Sequence, residues 1–363
     1  MKEAIELARN GYGKTRTNPL VGAILYKDGK KIGEGWHNKF GVEHAEVNAI
    51  RSVRNVRDLK GARMIVTLEP CSHFGKTPPC VDAIVQAGIA EVFVGMKDPF
   101  SRVAGRGIKA LRDAGIKVEL LSRKDALYPD LLALNQPFLK VAKYGLPYVC
   151  MKAGMSLDGK IASSAGMSKW ITSNESRVHA KKLREKFDAV VVGVNTVNVD
   201  DPSLLAKGAL RVVLDGTLQI SKKSKILKNG PVLIACGEIA LNSEKADWFK
   251  KKGVELVSFG KNIVNLKKLL SYLTAEHNVG SVYVEGGSGV HGAFYDAFLK
   301  DSLMIDEINF YIAPFLLGGE KALSVVGGRG LGNLAFKKEF LYSSVELFKK
   351  DYLFRGTLNF YRP

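Results

Sequence analysis

Apolar positions along this chain switch repeatedly between a helical rhythm and short runs of β-formers. Residues 2–10 predict a helix that Gly11 ends. Residues 24–26 and 31–35, joined through Asp28-Gly29, predict a β-hairpin on an Asp-Gly turn. There follow a helix near 44–53, a strand at 64–68 and a helix near 81–87 stopped by Gly88. A strand at 91–95, a helix at 108–114 before Gly115 and a strand at 117–121 complete the set. Strands alternating with short helices predict a mostly parallel sheet layered with helices.

A helical stretch near 125–135 leads to Lys143-Tyr144-Gly145-Leu146-Pro147, which reads as a linker. Beyond it, residues 148–152, 189–194, 211–215, 232–236 and 281–285 read as buried strands, with helical patterns between several of them. From about Glu307 the chain is rich in β-formers without helical period and reads as antiparallel strands. The expected organisation is two α/β domains, 1–145 and 146–363, which suits a chain of 363 residues.

Composition narrows the class. A hydrophobic fraction of 46% with 9% aromatic residues is that of a globular protein rather than a disordered one. No apolar run approaches the roughly 20 residues needed to cross a bilayer. The amphipathic, acid-containing start lacks the apolar core of a secretory signal, so the expected location is the cytoplasm. The four cysteines, at 71, 80, 150 and 236, point away from a disulfide framework and toward metal binding or burial. A formal charge of +18 implies attraction to anions. The basic residues are interspersed with acids, however, and the clusters at 181–184 and 250–252 are short enough to be solvated helix faces.

The strongest chemical signal is His44-Ala45-Glu46, then Pro70-Cys71, then Cys80. One imidazole and two thiolates supply three ligands to a tetrahedral zinc and leave its fourth position for water, the catalytic pattern. Zinc lowers the pKa of such water toward neutrality. A carboxylate must then carry protons to the leaving ammonia, and Glu46 is placed for it. Residues two apart on a regular helix point about 200° away from each other, so His44 and Glu46 can reach one site only at a helix start. Taken singly, His44, Cys71 and Cys80 read as core residues and Glu46 as a surface acid. Together, at strand–helix junctions, they match the zinc-deaminase signature. His73 is a further possible ligand, substrate contact or loop histidine.

That signature normally ends in P-C-x-x-C, whereas here eight residues separate Cys71 from Cys80. Thr67 to Cys80, T-L-E-P-C-S-H-x-G-x-T-P-P-C, resembles the deaminase motif of the bacterial bifunctional riboflavin biosynthesis family, a deaminase joined to a reductase. Asn18-Pro19-Leu20-Val21-Gly22, His44-Ala45-Glu46 and Asp98-Pro99 followed by Val103-Ala104-Gly105-Arg106-Gly107 extend the resemblance. It implies that His44, Cys71 and Cys80 hold one Zn2+ per chain and that Glu46 shuttles protons. It further implies that Asn18, His37, His73 and Lys76 shape the substrate pocket, with Lys76 facing a phosphate. Thr17 stands where the family usually has Pro, and Phe100 where it usually has Asn.

The second half carries Lys152-Ala153-Gly154-Met155-Ser156-Leu157-Asp158-Gly159-Lys160, Ser168-Lys169-Trp170-Ile171-Thr172-Ser173, Asp200-Asp201-Pro202-Ser203-Leu204 and Val284-Glu285-Gly286-Gly287. Ser173 reads as the N-cap of a helix carrying Arg184. Gly287, Gly289 and Gly292 satisfy G-x-G-x-x-G with Asp306 and Glu307 downstream, but so near the chain's end this is a weak dinucleotide fingerprint. The set resembles instead the reductase domain of the same family, whose fold is similar to dihydrofolate reductase. By that resemblance the chain joins a cytidine-deaminase-like three-layer α/β/α domain to a dihydrofolate-reductase-like α/β domain. Gly154, Trp170, Thr196, Asp200, Gly216 and the turn Gly287, Ser288, Gly289, Val290, His291, Gly292 and Ala293 would bind NADPH. Ser168, Arg184, Leu204, Lys207 and Glu285 would contact the phosphorylated ribosylaminopyrimidine. Lys207 stands where the family usually has Arg, and Gly216 where it usually has Ser. Asp200 and Glu285 are the candidates for a proton donor.

The implied function is deamination of a phosphoribosylaminopyrimidine followed by NADPH reduction of its ribosyl chain, in a homo-oligomer that binds neither nucleic acid nor membrane. Two other readings compete. A nucleic-acid base deaminase with an RNA-binding domain would explain the charge but wants P-C-x-x-C. A zinc-stabilised scaffold would keep the metal and need no Glu46.

Overall fold

In a computed structural model, residues 1–74, 78–100, 104–206 and 208–362 are described. Lys76 and Lys207 therefore lie outside the described residues. The chain forms two compact units, Met1–Gly145 joined by the residues from Tyr361 onward, and Leu146–Phe360.

Among the described residues, the first unit is built on a five-stranded sheet: β1 (Gly22–Lys27), β2 (Lys30–Trp36), β3 (Arg63–Leu68), β4 (Glu91–Met96) and β5 (Lys117–Leu120), in the order β2-β1-β3-β4-β5. The Asp28-Gly29 hairpin forms as its turn chemistry demands, both residues taking positive φ. β1 runs antiparallel to β3, while β3, β4 and β5 are mutually parallel, so the sheet is mixed rather than mostly parallel. The predicted hairpin opposes β1 to β2, and the antiparallel pairing of β1 with β3 adds the second departure from parallel order. Helices α1 (Lys2–Ala8) and α5 (Tyr128–Leu134) pack on one another and on the sheet. Helices α2 (Ala45–Arg51), α3 (Cys80–Gln86) and α4 (Arg106–Asp113) form the other helical layer. The single helix expected near 125–135 ends at Leu134 and is followed at once by α6 (Gln136–Tyr144), which Gly145 caps in a left-handed conformation.

How α2 meets the sheet sets the position of His44 and Glu46. Gly33 and Gly35, two apart on β2 and therefore on one face, lie under this helix. A methyl group on Gly35 would stand 2.3 Å from the amide nitrogen of Ala49, so the helix is seated directly on bare backbone.

The second unit carries a nine-stranded sheet in the order β10-β9-β8-β7-β11-β6-β12-β14-β13. Its strands are β6 (Tyr148–Ser156), β7 (Ala189–Gly193), β8 (Leu210–Leu214), β9 (Val232–Cys236), β10 (Glu255–Ser258), β11 (Ser281–Val284), β12 (Glu307–Ala313), β13 (Tyr342–Phe348) and β14 (Asp351–Thr357). From β10 to β12 every neighbour is parallel, while β14 and β13 run antiparallel. The expectation of antiparallel pairing after Glu307 thus holds for the last two strands, whereas β12 also pairs parallel with β6.

Among the described residues, five helices dress this sheet: α7 (Asn174–Arg184), α8 (Val194–Asp200), α9 (Glu244–Lys251), α10 (Leu266–His277) and α11 (Ser288–Lys300). One core joins Val191, Val212 and Leu233 to Leu270 and Phe294, and another joins Val190, Val213 and Ile234 to Val197 and Phe249. Burial of both faces is why β7 and β9 read as continuous apolar runs rather than alternating ones. Ser173 caps α7 by accepting from the Ser176 amide, as the sequence implies. Asp306 does not close a dinucleotide fingerprint: it lies buried just before β12, where its carboxylate accepts from the Val149 amide 2.6 Å away.

Gly35→Ala forces either helix α2 or strand β2 to move, an overpacking cost of roughly 1–3 kcal/mol. A lowered urea midpoint together with less zinc retained per chain is the expected outcome.

Candidate active sites

The first site forms where β3 and β4 end. His44 is the residue before α2, with extended backbone, and Glu46 lies in the first helical turn, as the 200° argument requires. Cys71 follows β3 after Glu69-Pro70, and Cys80 is the first residue of α3. The Cys80 amide donates to the Cys71 Sγ at 3.3 Å, which seats the two thiols side by side.

His44, Cys71 and Cys80 each offer a ligand atom, and these lie within 4.8 Å of one another. The nitrogen that faces the sulfurs is His44 Nδ1, 3.5 Å from Cys71 Sγ and 3.3 Å from Cys80 Sγ. Bonds of zinc length at tetrahedral angles separate such atoms by about 3.6 Å, so the donor set fits that ion closely. Donation from the Cys80 thiol, opposed by burial and helped by His44, holds the Cys71 thiol down at about 4. The same contact and burial push Cys80 well up, so the pair carries one ready thiolate. A cation draws off the second proton.

His44 and Cys71 line a cavity of about 530 Å3 with Asn18, His37, Glu46, Glu69, His73, Asp98, Phe100 and Phe138, while Cys80 is buried. Asn18, His37 and His73 thus stand together on its wall. His37 donates from Nδ1 to the Glu43 carbonyl at 3.1 Å and accepts at Nε2 from the Asn18 amide at 3.1 Å. Burial lowers the pKa of His37, in keeping with this neutral tautomer. Burial also pushes Glu46 up to about 7, against the pull of His44. A carboxyl poised there can both take and return a proton near neutrality. Asp98, likewise buried, is raised to about 6. Phe100, in the place of the usual Asn, packs edge-on against Phe138 with ring centroids 5.7 Å apart.

Sequence reading passed over the groups that hold this wall. Asn135 lies buried and pairs with both the amide and the carbonyl of Leu20, at 2.8 and 3.0 Å, so it anchors the Asn18-Pro19-Leu20 segment. Glu69, also buried, binds the loop that carries Asp98.

In the second unit, a cavity of about 570 Å3 opens at the carboxyl ends of β6, β7, β8 and β11, the usual crevice of such sheets. Gly154, Ser168, Thr196, Asp200, Glu285, Gly287, Ser288, Gly289, Val290 and His291 line it. The first residues of α8 and α11 point their backbone amides to this side, where anions are favoured.

Other expected contacts sit elsewhere. Trp170 is exposed, with the Arg177 guanidinium 4.2 Å from its ring centroid. A methyl group on Gly216 would meet the Asn262 carbonyl at 2.5 Å, and one on Gly292 would meet the backbone of Gly327 at 2.3 Å. These two glycines permit close packing. Ala293 faces a separate apolar groove, and Leu204 is buried in the second core.

Arg184 grips the buried carboxylate of Glu285 from Nε and from Nη2, the latter at 3.0 Å. Lys152, to which the sequence reading gave no role, brings its ammonium to 3.6 Å from the same carboxylate and lines the cavity itself. Burial pushes the Glu285 pKa up, but Lys152 and Arg184 outweigh it, and the net shift is downward. Glu285 is therefore ionised at neutrality. A cation on a strand otherwise buried was the available signal for Lys152.

Comparison with known proteins agrees with this geometry. The family profile described as the cytidine and deoxycytidylate deaminase zinc-binding region matches residues 1–96, and that of the RibD C-terminal domain matches 147–353. The riboflavin biosynthesis protein RibD of Bacillus amyloliquefaciens is 41% identical over 345 residues, covering 92% of this chain and 89% of its own. The structure of Acinetobacter baumannii RibD superposes with a TM-score of 0.84 at 35% identity, covering 99% and 97% of the two chains. A Thermotoga maritima diaminohydroxyphosphoribosylaminopyrimidine deaminase/5-amino-6-(5-phosphoribosylamino)uracil reductase gives 0.83 at 34% identity, with the same coverage.

Replacing Cys71 or Cys80 by Ala leaves two ligands, too few for a catalytic zinc site. Elemental analysis is expected to find zinc in the parent chain and at most a small residue of it in either variant.

Proposed function

This chain belongs to the RibD family of bifunctional riboflavin biosynthesis proteins, uniting a deaminase with a reductase; from that footing we propose a substrate and a role for each residue. The first domain, 1–145, hydrolyses the exocyclic amine of 2,5-diamino-6-(5-phosphoribosylamino)pyrimidin-4(3H)-one, and the second, 146–363, reduces the ribosyl chain of the product to ribityl. The observation that carries this reading is the cluster of His44, Cys71 and Cys80, of which His44 and Cys71 share one cavity with Glu46.

His44, Cys71 and Cys80 would hold zinc, which would bring the pKa of a bound water toward neutrality. Glu46 accepts the proton of the attacking water and passes it to the departing amine, so that a C–O bond replaces C–N and ammonia leaves. Asn18 and His37, locked to each other, orient the ring. His73 is a substrate contact, and Lys76 is assigned to the phosphate.

NADPH would be held in the second cavity, where it would supply the hydride for C1′ of the sugar. The amides from Gly287 to His291 and Thr196 hold its phosphates, while Gly154 and Asp200 complete its site. Ser168, Lys207 and the Arg184–Glu285 pair hold the substrate phosphate and sugar. Glu285, kept ionised, has no proton to give, and Asp200 lies 3.8 Å from the Lys169 ammonium. Lys152 is left as the cation able to protonate the ring oxygen. The polyanionic substrate and cofactor suit a basic chain. We place the enzyme in the cytoplasm as a homo-oligomer independent of nucleic acid and membranes. Support comes from edge strand β13, which exposes Val345 and Leu347, and from the lack, among the described residues, of any helix long and apolar enough to cross a membrane.

Purified protein given the diamino substrate and NADPH is expected to release ammonia and then consume NADPH; absence of either refutes the matching half. Glu46→Gln should lower ammonia release by roughly 10²-fold or more with zinc retained. The scaffold reading expects no such loss. Lys152→Met should slow NADPH oxidation by roughly 10²-fold while ammonia release stays at the parent rate.

A further inference from the structure

We propose that Glu69 is a positioning residue of the deaminase, which clamps the loop carrying Asp98 and Phe100 against the cavity and thereby sets substrate affinity. The inference rests on the deaminase reading above.

Its carboxylate is buried and accepts four backbone amides. Oε2 takes those of Asp98 at 3.1 Å and Gly105 at 2.9 Å; Oε1 takes those of Gly107 at 2.9 Å and Ile108 at 3.2 Å. Two oxygens offer about four acceptor sites, so Glu69 has no lone pair left for substrate or for a proton in transit. Although it lines the same cavity as Glu46, it cannot share that residue's work.

What it does instead follows from the places it joins. Gly107 and Ile108 open helix α4, whose N-cap, Gly105, has no side chain to satisfy them. Glu69 supplies that cap from the end of β3. Its other oxygen ties down Asp98 and Gly105, the two ends of the segment that carries Phe100 into the cavity wall. The fit leaves no slack, since a methyl group on Gly107 would stand 2.0 Å from the Pro70 carbonyl. One carboxylate therefore fixes part of the cavity wall without touching the reacting atoms.

The experiment is steady-state kinetics on the full chain carrying Glu69→Gln, with zinc content and reductase activity on separately supplied deaminated substrate as controls. Glutamine turns an amide NH2 toward two of the four donors, so the loop loosens. The expected result is zinc retained, reductase rate unchanged, and KM for the diamino substrate raised about tenfold with kcat held within about threefold. Glu69→Asp, which keeps the charge on a shorter stem, should recover part of that loss. A second variant disturbs the same loop without touching the carboxylate. Gly105 has φ of +82° and open space around its Cβ position, so Gly105→Ala adds backbone strain alone and should raise KM likewise. The inference is overturned if kcat falls with KM unmoved, if zinc is lost, or if KM stays at the parent value in both variants. A parent chain that releases no ammonia overturns the deaminase reading and this inference together.

Discussion

Two cysteine sulfurs and an imidazole nitrogen meet because β3 and the start of α2 end at the same edge of one sheet. A thiolate in a buried wall is costly unless something answers its charge. Here the answer is partly internal: Cys80 donates from both its amide and its thiol, and His44 leans in from the other side. The rest of the first unit serves that meeting. Bare backbone at Gly35 lets α2 sit low enough for His44 to reach, and Asn135 and Glu69 hold the two flanking segments of the wall. Lifting α2 off Gly35 would carry His44 away from the two sulfurs, whereas Asn135 and Glu69 shape the cavity without holding a ligand atom.

The second unit meets the same physical problem with charge alone. Glu285 is buried at the end of β11, where an uncompensated carboxylate would be strongly unfavourable, and two cations converge on it. Their roles differ by geometry. Arg184 uses its planar fork on the carboxylate, whereas Lys152 divides its position between that partner and the open cavity. One cation is thus fixed on the acid, and the other is presented to the cavity.

Both catalytic domains use one architectural device: helix starts and loops gathered where parallel strands end. The mixed first sheet and the long second one differ in strand order, yet in each the reactive groups follow strands directly. Rigid strands set the Cα positions within narrow limits, and loops of a few residues then bring unlike side chains together.

The clustered His44, Cys71 and Cys80 were legible in sequence because their chemistry is rare and each sits at a strand or helix end. His44 two before Glu46 requires a helix start, and Pro-Cys after a strand places a thiol at its end. The Asp-Gly hairpin, the Ser173 cap and the buried strands were legible for the same reason, since each depends on neighbours within a few positions. Three things were decided only in the folded chain. His44 turns Nδ1 toward the two sulfurs, Glu69 spends its carboxylate on amides up to 39 residues away, and Lys152 rather than Arg184 faces the second cavity. A side chain's type is written locally, but which of its atoms is free depends on partners distant in sequence. The burial that shifts the ionisation of Glu46 and Cys71 is likewise a property of the whole packed unit.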